Sequence, residues 1–308
     1  MTRADLAFGL ILAGLSAYLL FGGADFGAGL WHLLSRDRPG DRRVIERAVG
    51  PMWEAHHAWL ALALLLAWTA FPPIFNDMVD AYRVPLVIAA AGIAARGATS
   101  ALDRFGPRRT AVGRFLSRRF RIEPLLGPAS LLTPFCLGAV ATTIATGEAS
   151  WMSVTGIYGG ALTTMLCAYF AAVHLIWNAR KAGDRDVLLH FQGYAIVSGV
   201  AVGLFAMPGA LALGVRSPLI LVSAAAGLLS IVLVVRRRYL AVRVSGAVAV
   251  VSVLWGAASM AHLDLDGALA HGSVLDAEFT ALAVGATAFA VAMAWLHVLF
   301  QRQSATKA

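Results

Sequence analysis

The chain has 308 residues, 59% of them hydrophobic and only 14% charged, with a formal net charge of +8. That composition excludes a soluble domain of this length and predicts an integral membrane protein. Its apolar runs are long and unbroken rather than alternating, which excludes a β-barrel and predicts an all-α, polytopic helical bundle.

A hydrocarbon core about 30 Å thick needs roughly 20 apolar residues in helical form. Nine segments qualify: 6–34, 50–71, 84–103, 124–146, 153–178, 191–213, 217–235, 241–262 and 277–300. No small-residue cleavage pattern precedes the first, so it reads as a retained span. Pro51 opens the second, where a missing N–H costs nothing, and Pro72-Pro73 closes it. No loop exceeds about 20 residues, below the size of a separate domain, so residues 1–308 read as one transmembrane unit.

Charge sets the topology. Twenty-one of the 25 basic residues fall in alternate segments: 35–49, 104–123, 179–190, 236–243 and the tail. The opposite set holds only Arg3, Arg83 and Arg216, and the acidic loop 263–276. By the positive-inside rule the N-terminus is outside and the C-terminus cytoplasmic. The basic excess therefore speaks of topology, and nucleic-acid binding is not expected. Cys136 and Cys167 lie in separate apolar runs, which suggests neither a disulfide framework nor a cysteine metal site.

Ionisable groups at bilayer depth are costly and mark function by default. Asp25 sits about nine residues from the cytoplasmic end of the first span, roughly 13 Å deep. Glu54 lies about five residues into the second span, roughly 7 Å deep, and His57 one step further. Carboxylates and imidazoles release and accept protons, so Asp25, Glu54 and His57 could line one proton route rising from the cytoplasm. Each has a plainer reading. Asp25 could hydrogen-bond a neighbouring helix, Glu54 could cap its own helix, and His57 could be a packing residue. His56 points about 100° away from His57, so both cannot face one site, and His57 is the better candidate. Arg96 is expected either to pair with Asp25 or Glu54 or to snorkel. His174 reads as interfacial. Gly23 and Gly27, spaced i, i+4, would admit a close neighbouring helix. Trp53 and Trp59 flank the polar cluster and would either wall it off or simply pack.

Two stretches carry a resemblance. GGADFGAG at 22–29 resembles the first-helix motif of the cytochrome bd oxidase subunit II family. GPMWEAHHAWL at 50–60, followed by FPP, resembles its second-helix signature through Pro51, Trp53, Glu54 and Trp59. ARGATSALDRF and AAVHLIWNARKAGDRD resemble later segments of the same family. Ala24, and Ala55-His56-His57-Ala58, depart from the family pattern. The resemblance implies a quinol-oxidising terminal oxidase that reduces oxygen to water in the bacterial plasma membrane. Haem b and haem d would belong to a partner, subunit I, and this chain would bind no haem. Asp25 and Glu54 match acidic residues tied to proton delivery, and a structural quinone is a further implied ligand. Quinol, membrane lipid and subunit I are the expected partners. Two readings from other classes stand beside it. One is a stand-alone haem b protein with His57 and His174 as axial ligands. The other is a proton-coupled transporter, although no internal repeat supports it.

Overall fold

The computed structural model describes residues 2–35, 38–49, 53–105, 123–214 and 217–305. The described residues form eleven helices. These are α1 (Arg3–Leu34), α2 (Pro39–Val49), α3 (Trp53–Ala70), α4 (Pro72–Ala81), α5 (Arg83–Phe105) and α6 (Glu123–Thr146), then α7 (Val154–Ala182), α8 (Arg185–Gly214), α9 (Pro218–Val235), α10 (Tyr239–Ala258) and α11 (Gly272–Ala305). The fold is thus an all-helical membrane bundle. A helix lies over each of the nine expected segments. By length and apolarity alone, six described helices can cross a bilayer: α1, α6, α7, α8, α9 and α10. A seventh span exists if the α3–α4 pair counts as one, and that pair bends by 116°.

The bend has a local cause. Pro72 and Pro73 occupy the first positions of α4 behind Phe71, and a proline there cannot continue the preceding helix. These prolines close the preceding helix, as expected, and a further helix, α4, follows them. Within the segment 35–49, expected as a loop, Pro39–Val49 form α2. This helix is held at both faces. His32 of α1 meets Glu46 at 3.5 Å, and buried Asp41 meets His190 of α8 at 3.1 Å.

The bundle is built around α7, which packs against α1, α6 and α8. α9 and α10 form an adjoining hairpin, and α5 packs on α6. The ends sort as antiparallel connection requires. At one end Arg3 pairs with Asp276 at 3.0 Å, and the 263–271 turn ties to α3 through Ala270 N–H donating to the Ala70 carbonyl at 2.9 Å. At the other end, Trp31 of α1 stacks on Tyr194 of α8 with centroids 4.6 Å apart. Arg38 donates to the Tyr194 hydroxyl at 2.7 Å. Apolar side chains such as Val197, Leu204 and Leu211 remain exposed along α8, as a lipid-facing surface requires.

One contact fixes the α1–α7 spacing. A β-carbon at position 27 would stand 1.9 Å from the Cys167 carbonyl oxygen, so only glycine permits this approach. Position 23 meets only ordinary contact, 3.5 Å from Cys167 Sγ. Gly27→Ala should therefore force the helices apart and cost about 1–3 kcal/mol, as overpacking does. Gly227→Ala, where a β-carbon meets nothing within 4 Å, should be nearly neutral. Thermal unfolding of both variants in detergent tests this; equal midpoints would contradict the close approach.

Candidate functional site

The segment Gly22–Ala28 of α1 is buried throughout, so its polar member cannot reach water. Asp25 lies inside the bundle, its side chain 2% exposed. Burial of a lone carboxylate would be prohibitive, and α5 supplies the counter-charge. Arg96 Nη2 stands 2.7 Å from Asp25 Oδ1 and also donates to the Asp25 main-chain carbonyl at 3.0 Å. Arg96 Nη1 donates to the Ser130 hydroxyl of α6 in a short hydrogen bond. The guanidinium carbon lies 5.1 Å from the Phe26 ring centroid, which adds a cation–π contact. Both carboxylate oxygens of Asp25 are sealed from solvent without an in-line hydrogen bond, so the Arg96 contact is chiefly one of charge with charge.

α3 brings a third group. His56 Nε2 lies 3.9 Å from Asp25 Oδ2, and the His56 side chain is 1% exposed. Its ring is 4.2 Å from that of His57, centroid to centroid. The Tyr18 ring stands 6.0 Å from each imidazole. The sequence reading preferred His57 beside Asp25; the structure puts His56 there. The reason is angular: adjacent helical residues diverge by about 100°, and α3 turns position 56 toward α1. His57 is partly exposed and one ring further out.

The glycines of α1 make room for these groups. A β-carbon at position 22 would stand 3.0 Å from the His56 ring. One at position 29 would strike Ser130 Oγ at 2.0 Å and Arg96 Nη1 at 2.8 Å. So Gly22 and Gly29, which spacing alone did not single out, shape the site more directly than Gly23 does. Trp59 is 41% exposed and lines an apolar groove of about 430 Å³ with Leu6, Leu10, Leu62 and Phe279, away from a walling role at Asp25. The side chains of Trp53 and Glu54 lie outside the described ones, although both residues belong to α3. His174 stands elsewhere, its Nδ1 3.1 Å from Arg243 Nη2.

The sequence model for the family described as Cytochrome bd terminal oxidase subunit II matches residues 3–302. The chain belongs to that family. The cytochrome bd ubiquinol oxidase subunit 2 of Bacillus subtilis (strain 168) is 24% identical to it over 223 residues, 66% of this chain and 61% of that one. The matched stretch is thus less than two thirds of that relative's length. The solved bd oxidase of Geobacillus thermodenitrificans contains a chain of the same fold. It superposes with a TM-score of 0.70 at 18% identity, over 97% of this chain and 99% of that one. Membership of a subunit II family and the apolar helices together make this a multi-pass membrane protein.

Within this subunit II chain the ion pair should be mutually dependent. Arg96→Leu leaves Asp25 buried without its guanidinium, with only His56 at 3.9 Å, which should destabilise the fold by about 3–5 kcal/mol. Asp25→Asn combined with Arg96→Leu removes both charges and should recover part of that loss. A thermal-unfolding double-mutant cycle measures the coupling; simple additivity would show that the pair does not act as a unit.

Proposed function

We propose that the chain is the haem-free subunit II of a quinol:oxygen oxidoreductase in the bacterial plasma membrane, oriented with its N-terminus outside and nine spans. It packs on a subunit I that carries haem b and haem d, and it contributes a proton route from the cytoplasm to that partner. The observation that carries the reading is the enclosed Asp25–Arg96–His56 constellation in a chain of this family.

The physical argument runs from the site outward. A proton route into a bilayer needs acceptors that are close together, screened from lipid and continuous with the face that supplies the protons. Asp25 and His56 are 3.9 Å apart, within reach of a single small rearrangement or one water. His57 continues the line from His56. Glu54 lies two residues before His56 on α3, on the side where the basic loops place the cytoplasm. Asp25, Glu54 and His57, joined by His56, are the residues of the route. Arg96 and Ser130 hold the Asp25 end in place.

The haems supply the oxygen chemistry, and that chemistry belongs to the partner. This chain's residues hold and pass protons. The Trp59 groove is lined by aliphatic and aromatic side chains with no charged or hydroxyl group. It suits a lipid or isoprenoid tail.

Asp25→Asn and Glu54→Gln should each lower quinol oxidase turnover of the purified complex by at least about tenfold, as loss of a proton-transfer group does. The haem absorption bands per complex should stay at the wild-type level. Unchanged turnover in both variants would remove the proton-route assignment. Absence of any haem-bearing subunit from the purified complex would remove the oxidase reading itself.

A further inference from the structure

At the end of the bundle that carries the basic segments, α7 closes with Trp177, Arg180 and Lys181, and α9 turns into α10 through Arg236, Arg237 and Arg238. The end of α7 and the first turns of α10 are far apart in sequence, yet they meet around one side chain. The Lys181 ammonium lies 5.5 Å from the Trp177 ring centroid, and the Arg243 guanidinium carbon lies 5.4 Å from the same ring. Arg243 also donates to His174 Nδ1 at 3.1 Å. Among the described residues, no carboxylate lies within ion-pair distance of Lys181, Arg243 or the three turn arginines. Two cations held near one indole repel each other, and an anion within reach of both would turn that cost into a gain.

The turn itself presents charge at an expensive position. Arg238 N–H donates to the Leu233 carbonyl and Arg237 N–H to that of Val234, a helix-ending motif that puts its penultimate residue in the left-handed region. Arg237 has φ 56°, where glycine fits at no steric cost and an arginine does not. Below the charges the surface changes character. Val235 is exposed just inside the turn, and Val244 and Val248 are exposed beyond Arg243 on the same side of α10. Cations therefore lie over an apolar strip at the ends of three spans, with a tryptophan at the boundary depth such residues favour.

We propose that the ends of α7, α9 and α10 form a binding site for an anionic phospholipid. Lys181 and Arg243 hold the headgroup phosphate, and an acyl chain lies along Val244 and Val248. Topology alone asks for basic residues on this side of the membrane. It does not ask that residues of separate helices converge on one indole above a lipid-facing strip. Both halves of the site match a phospholipid, whereas a free phosphate would use only the first.

The test uses the full chain purified in detergent with the subunit that accompanies it. Native mass spectrometry counts retained lipid after exposure to phosphatidylglycerol or phosphatidylcholine. The wild type should retain phosphatidylglycerol and wash free of phosphatidylcholine. Lys181→Gln/Arg243→Gln should lower phosphatidylglycerol retention roughly tenfold, given the worth of two surface cations facing anionic lipid. Lys181→Gln alone, a change at an exposed side chain, should lower it a few-fold and guards against a folding defect in the double variant. Arg43→Gln/Arg47→Gln, which removes equal charge from exposed positions on α2, should leave it unchanged. Equal loss in the α2 variant would overturn the site in favour of general surface charge. Displacement of the lipid by millimolar inorganic phosphate would overturn the lipid assignment. Release of another polypeptide from the Lys181/Arg243 variant, with lipid retention intact, would make this face a protein contact instead.

Discussion

A carboxylate and a guanidinium stand 2.7 Å apart inside a predominantly apolar membrane bundle. Neither could be there without the other. Desolvating a single charge costs several kcal/mol even after the protein relaxes, and the pair recovers that only when its geometry is held. The holding is done by four neighbours: the α1 backbone through the Asp25 carbonyl, Ser130 on α6, the Phe26 face, and His56 on α3. The ion pair thus dictates the relative placement of α1, α3, α5 and α6. Hydrophobic burial cannot do this between helices in lipid, because lipid tails are as apolar as the side chains they would replace.

The close packing of α1 follows from the same constraint. A guanidinium can reach across α1 to α6 only if the α1 surface is low, and Gly29 provides that. An imidazole can approach Asp25 from α3 only past Gly22. Gly27 is different in kind, because it brings α7 against α1 backbone to backbone. Trp31, one turn on, reinforces that contact by donating its indole N–H to the Ala168 carbonyl at 2.7 Å. One short stretch of sequence therefore serves two interfaces on opposite sides of one helix. That is why it is so rich in glycine while carrying a charge.

What could be read from the sequence divides along physical lines. Long apolar runs forecast a helix over each segment, because composition and length alone decide whether a segment can lie in lipid. Asp25 stood out because a buried carboxylate is costly wherever it points, and Arg96 was a named candidate for its partner. Which of His56 and His57 faces Asp25 depends on the rotation of α3 about its axis. That helix is apolar around most of its circumference, so no stripe announced its inner face. Ser130 was not singled out for a related reason: a lone hydroxyl in an apolar helix gives no local sign that it accepts from a guanidinium of another helix. α2 and α4 were missed because each is short and partly charged, and forms helix only against neighbours such as His190 and Phe71.

The same logic separates the two ends of the molecule. Around Arg3, Asp276, Thr69 and Glu278, opposite charges and hydrogen-bonding groups find one another across α1, α3 and α11, and the chain closes on itself. At the other end several described acids have local partners, and Asp184 accepts from the Val187 N–H at the start of α8 at 3.1 Å. Asp41 is taken by His190, and Glu46 by His32. Lys181 and Arg243 are left to share the face of Trp177, which attracts each but cannot neutralise either. The bundle pairs its buried charge at 2.7 Å and leaves these surface cations to an environment that can supply anions, as the proposed lipid site does. A bilayer leaflet rich in anionic headgroups is such an environment, and it lies on the side where the positive-inside rule puts these residues.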